Sequence, residues 1–362
     1  MHEKPSSKDA PVPATEAGVS FVMPVLNEED YLERAVRSVL AQDVPGPMEF
    51  VIALGPSTDS TDEIARRLAA EDPRVRLVAN PEADIPCGLN HAIRASIHPT
   101  IVRVDAHSEL TPGYVRRALE TLARTRAASV GGIMRAEGHS AFQRAVARAY
   151  NSPIGLGGAS YHGGTHEGDA ESAYLGVMRR EVLEEIGLYD ESIRRGEDWD
   201  LNFRIRQAGY RVWFDPQLLV TYWPRDSWTR LVRQFVATGA WRGELVRRYG
   251  RRNSLRFFAP PALVATAGLA VLVGALQGTR ALRGAAAAAA SLVYAPLALY
   301  LVVVSFSAAG RGGGPGLQDK LWTAAVLPTI HLAWGVGFIR GALVGAKDTV
   351  DTSRVSADDR PA

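Results

Sequence analysis

Three stretches near the end of the chain constrain its fold most. Residues 257–279, 284–310 and 321–339 contain no Asp, Glu, Lys or Arg and are mostly Ala, Leu and Val. A helix of about 20 apolar residues crosses the hydrocarbon core of a bilayer. The sequence therefore predicts two or three transmembrane helices within 257–346. The second run holds six consecutive alanines, and the third holds Pro328 and His331; a buried helical bundle is the competing reading. Ahead of the first run stand Arg242, Arg247, Arg248, Arg251, Arg252 and Arg256. Positive charge beside a first span favours a cytoplasmic side for the preceding domain and attracts anionic headgroups. The expectation is a multi-pass protein of the inner (plasma) membrane.

The rest of the chain differs in character. The formal net charge over 362 residues is only +2, which argues against nucleic acid as a partner. A single cysteine, Cys87, excludes an intramolecular disulfide and fits a reducing compartment. Residues 1–18 read as a disordered tail without the apolar core of a secretory signal. Residues 19–245 read as one domain, 246–256 as a basic juxtamembrane segment and 347–362 as a second polar tail.

Within 19–245, strand and helix signals alternate. An apolar strand, Val19 to Met23, is expected to end at Pro24, with a helix starting among Asn27 to Asp30. Glu49 to Leu54 and then a helix from about Thr61, capped by Ser60 or Thr61, repeat the plan. "VRLVAN" is a third strand, "CGLNHAIRAS" a helix, and "TIVRVDAHSEL" a fourth strand ending in polar groups. Such alternation implies a mostly parallel sheet with helices on both faces. Ligands of such sheets bind beyond the carboxyl ends of the strands. Asn27, Glu28, Ser57, Asp59, Asp105 and His107 all fall there.

Each motif has a plain structural alternative. In "VDAHS", an extended backbone would put Asp105 and His107 on one face, within reach of one Mn²⁺ or Mg²⁺; the alternative is a loop-capping Asp and a surface His. Asn27 and Glu28 either cap a helix or meet ribose hydroxyls. "LGPSTDST" lacks the glycine spacing of a dinucleotide fingerprint and the Lys of a P-loop. In "GEDWDLNFRIRQAGYRVWFDP", Asp200 pairs with Arg204 one turn on and reads as structural. Glu197 and Asp198 have no such partner in the helix, so Asp198 is either an N-terminal cap or a general base. The basic, aromatic stretch 222–250 carries Arg230, Arg233 and Arg242, which face phosphates or lie on a membrane surface. In the Gly- and His-rich loop 151–172, His162 and His166 read as solvent-facing residues of a mobile lid; the alternative is that either contacts metal or acceptor.

Taken in order, "MPVLNEE", "GPSTDSTDEI", "VDAHS" and "GEDWDLNFRIRQAGYRVWFDP" resemble family 2 glycosyltransferases of the GT-A fold, over about residues 19–245. The chain looks most like the membrane-anchored branch that builds exopolysaccharide, of the succinoglycan type. The resemblance implies hexosyl transfer from a nucleotide sugar, with a UDP-sugar favoured, to a lipid-linked or saccharide acceptor. It implies that Pro24, Asn27, Glu28, Ser57, Asp59 and Asp105 bind the donor. It implies that Asp105 and His107 replace the family's Asp-x-Asp and hold Mg²⁺ or Mn²⁺. Asp198 becomes the general base of a single inverting displacement. Glu197, Arg233, Gln234 and Arg242 are assigned to acceptor or phosphate.

Two departures stand out. Leu54-Gly55-Pro56-Ser57 lacks the family's base-reading Asp, for which Asp59 or Asp84 would substitute. The Gln-x-x-Arg-Trp signature of processive synthases is missing, so one sugar is added rather than a polymer. Two rivals remain: transfer directly to a polyprenyl phosphate, and a non-catalytic membrane scaffold with a degenerate sugar-nucleotide domain.

Overall fold

The computed structural model describes residues 18–156, 160–250, 253–347 and 349. The two expected tails, apart from Gly18, Lys347 and Thr349, lie outside the described residues. So do Arg251 and Arg252, and residues 157–159 of the Gly- and His-rich loop.

The chain forms two compact units. The first comprises residues up to 136 and 158–223, and the second residues 137–157 and 224–354. The sequence placed a boundary after 245; residues 224–245 instead group with the helical unit. The reason is packing. That stretch belongs to one long helix whose glycines seat directly on another helix of the same unit.

The first unit is built on a nine-stranded sheet. Its first half follows the expected alternation: β1 (Val19–Val25), α1 (Leu32–Leu40), β2 (Met48–Leu54), α2 (Thr61–Glu71), β3 (Val75–Ala79), α3 (Ile85–Ala95) and β4 (Thr100–Arg103). These four strands pair in parallel in the order β3-β2-β1-β4. Phe21, Val22 and Met23 on β1 and Phe50, Val51, Ile52 and Ala53 on β2 are all buried. A strand buried on both faces needs helices on both faces, which is why these runs are continuously apolar.

Pro24 does not end β1, as the sequence suggested; the strand runs on to Val25. Val22 and Pro24 point the same way along the strand. Val22 O takes the N–H of Val104, just past the last residue of β4. The missing N–H of Pro24 therefore faces a place where no further partner strand runs. The helix expected to start among Asn27 to Asp30 begins at Leu32; Asn27, at a positive φ of 53°, lies in the loop before it.

The second half of the sheet is mixed. Its strands are β5 (Ser108–Leu110), β6 (Ser129–Ala136), β7 (Gly168–Asp169), β8 (Tyr174–Arg179) and β9 (Val212–Tyr222), with α4 (Tyr114–Thr125) between β5 and β6. α7 (Arg180–Glu185) and α8 (Glu197–Gln207) follow β8. The order continues β4-β8-β6-β9-β5, with β7 paired to β9. β8 runs antiparallel to both β4 and β6, while β6 and β9 are parallel.

The second unit is helical: α5 (Ala141–Tyr150), α6 (Pro153–Leu156), α9 (Trp228–Tyr249), α10 (Ala259–Gly278), α11 (Gly284–Ala290), α12 (Tyr294–Ala309) and α13 (Leu317–Val344). Among the described residues, three segments are long and apolar enough to cross a membrane: Leu255–Gly278, Gly284–Ala309 and Leu317–Val344, with mean hydropathies of 1.9, 2.1 and 1.4.

Candidate active site

The site gathers at the carboxyl ends of β1, β2 and β4, where the loops leave the sheet. The loops after β1 and β2 are stitched together. Asn27 N–H donates to Ser57 Oγ at 3.2 Å, and Asn27 Oδ1 accepts from Thr58 N–H at 2.8 Å. Glu28 N–H donates to Thr61 Oγ1 at 2.7 Å. Asp59 accepts from Glu29 N–H at 3.3 Å and Thr61 N–H at 3.0 Å. Ser57 and Asp59 thus spend these atoms on holding the two loops in register. Of the two expected caps of α2, Ser60 takes the N-cap position without a side-chain cap bond, and the Thr61 hydroxyl faces Glu28 instead.

Of the two candidate base readers, Asp84 is also engaged. It lies 3.1 Å from Arg194 Nε, and burial raises its carboxyl above the ordinary range despite that cation.

β4 stops at Arg103, and residues 104–107 turn before β5 begins. The turn is fixed by Ser108, whose N–H and hydroxyl both donate to Asp105 O, at 3.0 and 2.7 Å. Asp105 and His107 are therefore not alternate residues of one extended strand, and the face argument made for them fails. His107 lies edge-on to Tyr222, at 5.2 Å between centroids. Its Nδ1 is 3.3 Å from Glu28 Oε1, an ion pair between the strand tip and the loop after β1 only when the imidazole is protonated.

Arg103 is the residue that sequence reasoning missed. It is 6% exposed. Its Nε donates to Asp105 Oδ1 at 3.2 Å and its Nη2 to Glu197 Oε1 at 2.8 Å. Its guanidinium also lies 5.9 Å from the centre of the Tyr189 ring. Burial works against the charge, but Asp105 and Glu197 outweigh it and hold Arg103 well above its ordinary range. Glu197, 5% exposed, has its carboxyl raised by burial, with Arg103 opposing. The signal was present in the sequence: an arginine inside the apolar run "TIVRV" must be paired if it is buried.

α8 begins at Gly196, whose φ of +82° is a left-handed conformation suited to glycine. Three acids occupy the first turn of α8, where the helix dipole favours them, and they have separate fates. Glu197 turns inward to Arg103. Asp200, fully buried, pairs with Arg204 Nε at 2.8 Å, the structural role expected of it. Asp198 is half-buried, and its Oδ1 accepts the Trp199 N–H at 2.7 Å. Asp198 Oδ2 and Asp105 Oδ2 make no hydrogen bond to any described residue.

Arg233, Gln234 and Arg242 lie on α9 in the helical unit. Gln234 is buried, and Arg242 stacks 4.0 Å over the Phe257 ring. His162, expected to face solvent, is 8% exposed and packs 4.4 Å from the Tyr161 ring, so it is part of the fold. His166 takes a hydrogen bond with Thr165 at 2.9 Å on the surface. Among the described residues, no three of His, Cys, Asp and Glu converge as a complete metal cage. At the strand tip the carboxylate of Asp105, its side chain 17% exposed, is the kind of oxygen donor that fits a hard cation taking its remaining ligands from a substrate diphosphate.

Comparison with known proteins bears on the family and the fold. Residues 20–187 match the family model "Glycosyl transferase family 2". The succinoglycan biosynthesis protein ExoA of Rhizobium meliloti (strain 1021) is 33% identical over 325 residues, covering 89% of this chain and 94% of that protein. A dolichyl N-acetyl-alpha-D-glucosaminyl phosphate 3-beta-D-2,3-diacetamido-2,3-dideoxy-beta-D-glucuronosyltransferase of Methanococcus voltae is 22% identical, covering 66% of this chain and 77% of its own. In fold, the chain is similar to the mannosyltransferase PcManGT of Pyrobaculum calidifontis, solved in complex with GDP-Man and Mn²⁺. The TM-score is 0.57 at 19% identity, over 94% of this chain and 91% of that one. With a relative of this identity and coverage and a GT-A-like sheet carrying the site, the chain belongs to glycosyltransferase family 2.

Proposed function

We propose that this chain is an inverting transferase acting at the cytoplasmic face of the inner membrane. It moves one sugar from a nucleotide-sugar donor to a lipid-linked or saccharide acceptor in exopolysaccharide or cell-envelope glycan synthesis. The observation that carries this reading is the buried Arg103. It touches Asp105 and Glu197 together, and so ties the tip of β4 to the helix start that carries Asp198. The relationship to ExoA supports the pathway class, and PcManGT, solved with GDP-Man and Mn²⁺, supports the donor class and a divalent ion.

In this reading Asp105 and His107 would hold Mg²⁺ or Mn²⁺, which when bound would supply Lewis-acid stabilisation of charge on the departing nucleoside diphosphate. The loop Pro24–Glu28 borders the nucleotide. Asp198 Oδ2 accepts the proton of the acceptor hydroxyl as that oxygen bonds to the anomeric carbon. The bond from carbon to the diphosphate oxygen breaks on the opposite side, so configuration inverts. The neighbouring Glu197 is already committed to Arg103, which leaves Asp198 as the carboxylate available for this work.

The test is a panel of UDP- and GDP-sugars with Mn²⁺ or Mg²⁺, read first by thermal shift, since a ligand that binds only the folded state raises the melting temperature. Transfer to a lipid-linked acceptor is then measured. A metal-dependent shift with one nucleotide class, followed by transfer, is expected. The absence of any shift and any transfer across the panel would favour the scaffold reading.

A further inference from the structure

We infer that the third apolar helix, α13, does not cross the bilayer. The chain crosses twice, through α10 and the α11–α12 segment, and α13 lies paired with α9 in the headgroup layer on one face.

The first argument is what α13 brings with it. α9 and α13 run side by side with their backbones in contact. A Cβ on Gly239 of α9 would sit 2.0 Å from Trp334 O, and one on Gly341 of α13 would sit 1.9 Å from Ala240 O. Two further contacts join this pair. The Trp228 and Trp322 rings near the two helix starts lie 6.3 Å apart, and Trp241 Nε1 of α9 donates at 2.9 Å to Thr349 O, just beyond α13. Wherever α13 goes, α9 goes too. But α9 carries Arg230, Arg233, Arg242, Arg247 and Arg248, and each arginine at the centre of a membrane helix costs about 2.5–3.5 kcal/mol on insertion scales.

Other polar groups line the remaining length of α13. Arg148 of α5 lies 3.2 Å from Asp319 and donates to Thr323 Oγ1 at 3.1 Å. His331 Nε2 meets the carbonyls of Ile154 and Gly155 at 2.9 and 3.0 Å. Arg340 is exposed on α13 itself.

The pattern of exposure gives an independent argument. α12 exposes the consecutive Leu301, Val302 and Val303, together with Leu299 and Phe306, so apolar groups face outward around most of its circumference. A helix surrounded by lipid requires that. α13 exposes Leu317, Leu321, Leu332, Val336, Leu343 and Val344. Except for Val344 these recur at helical spacing as one stripe rather than around the whole helix, as in a helix with one side against lipid and the other against protein. Trp322 and Trp334 along α13 are aromatic groups of the kind enriched at headgroup level.

The experiment uses the full-length chain with its one cysteine removed (C87S) and single cysteines introduced at exposed positions: D226C before α9, K347C after α13, and A281C in the turn after α10. Each is treated with a membrane-impermeant maleimide in inverted and in right-side-out vesicles. D226C and K347C are expected to label from one face and A281C only from the other. Labelling of K347C from the face of A281C would show three crossings. Labelling of A281C from the face of D226C would show none. Either result overturns the inference. A reporter domain fused after Lys347 reads the same topology if a cysteine variant fails to fold.

Discussion

Arg103 Nη2 lies 2.8 Å from Glu197 Oε1, and both side chains are almost wholly buried. The pair joins a strand end to a helix start across 94 residues of sequence. Breaking such a buried pair by removing one partner typically costs about 3–5 kcal/mol, because the other is left without compensation. Arg103→Met is therefore expected to lower stability by roughly that amount. Replacing both residues (Arg103→Met with Glu197→Gln) should recover part of the loss. A denaturant-unfolding double-mutant cycle checks this, and strictly additive effects would show that the contact is not coupled.

Asp105 is held from one side by Arg103, and its Oδ2 is not engaged by any described residue. Asp105→Asn is expected to weaken the Mn²⁺ dependence of donor binding by at least about tenfold, the scale on which even outer-shell changes weaken metal sites. Titrating Mn²⁺ against the donor-induced thermal shift reads this without relying on turnover. An unchanged Mn²⁺ midpoint would remove Asp105 from the metal site.

A pH effect on stability is expected at Asp215, which is fully buried on β9 and lies 2.8 Å from Arg117 Nε. Burial opposes its ionisation, but hydrogen bonds from Arg117, the Gln217 N–H and Thr121 prevail and hold its carboxyl below the ordinary value. Its contribution is therefore complete above the unfolded value of about 3.9 and is lost as pH falls through the lower folded value. Asp215→Asn should cost about 1.5–3 kcal/mol near neutrality, the usual worth of hydrogen bonds to a charged group. Melting curves of the two proteins should converge as pH drops below about 4. A gap that stays constant into acid would contradict this account.

The parts of this structure legible in the sequence are those governed by local pattern. Strands β1 to β3, helices α2 and α3, the three apolar helices and the Asp200–Arg204 pair all follow from periodicity or from spacing of one turn. What escaped depends on contacts between distant segments. No local rule says that β8 enters antiparallel between β4 and β6, or that His162 packs inside. The end of β4 at Arg103 was hidden because "TIVRVDAHSEL" reads as one unbroken strand, whereas Ser108 folds residues 104–107 into a turn. The partner of Glu197 was sought within its own helix and lies on β4. Residues 224–245 were assigned to the sheet domain because the family resemblance runs to about 245, while their glycines commit them to α13.

The central claim is that Asp198 removes the acceptor proton, and turnover of Asp198→Asn measures it most directly. Asp198 lies half-buried at the start of α8 with one carboxylate oxygen uncommitted, so the amide should leave the fold and the donor affinity in place. The account predicts that transfer falls by about 10²–10⁴, the usual contribution of a positioned general base, while donor binding by calorimetry stays within a factor of about two. Undiminished transfer by this variant would contradict the account and would point to an acceptor that is already ionised, as a polyprenyl phosphate is.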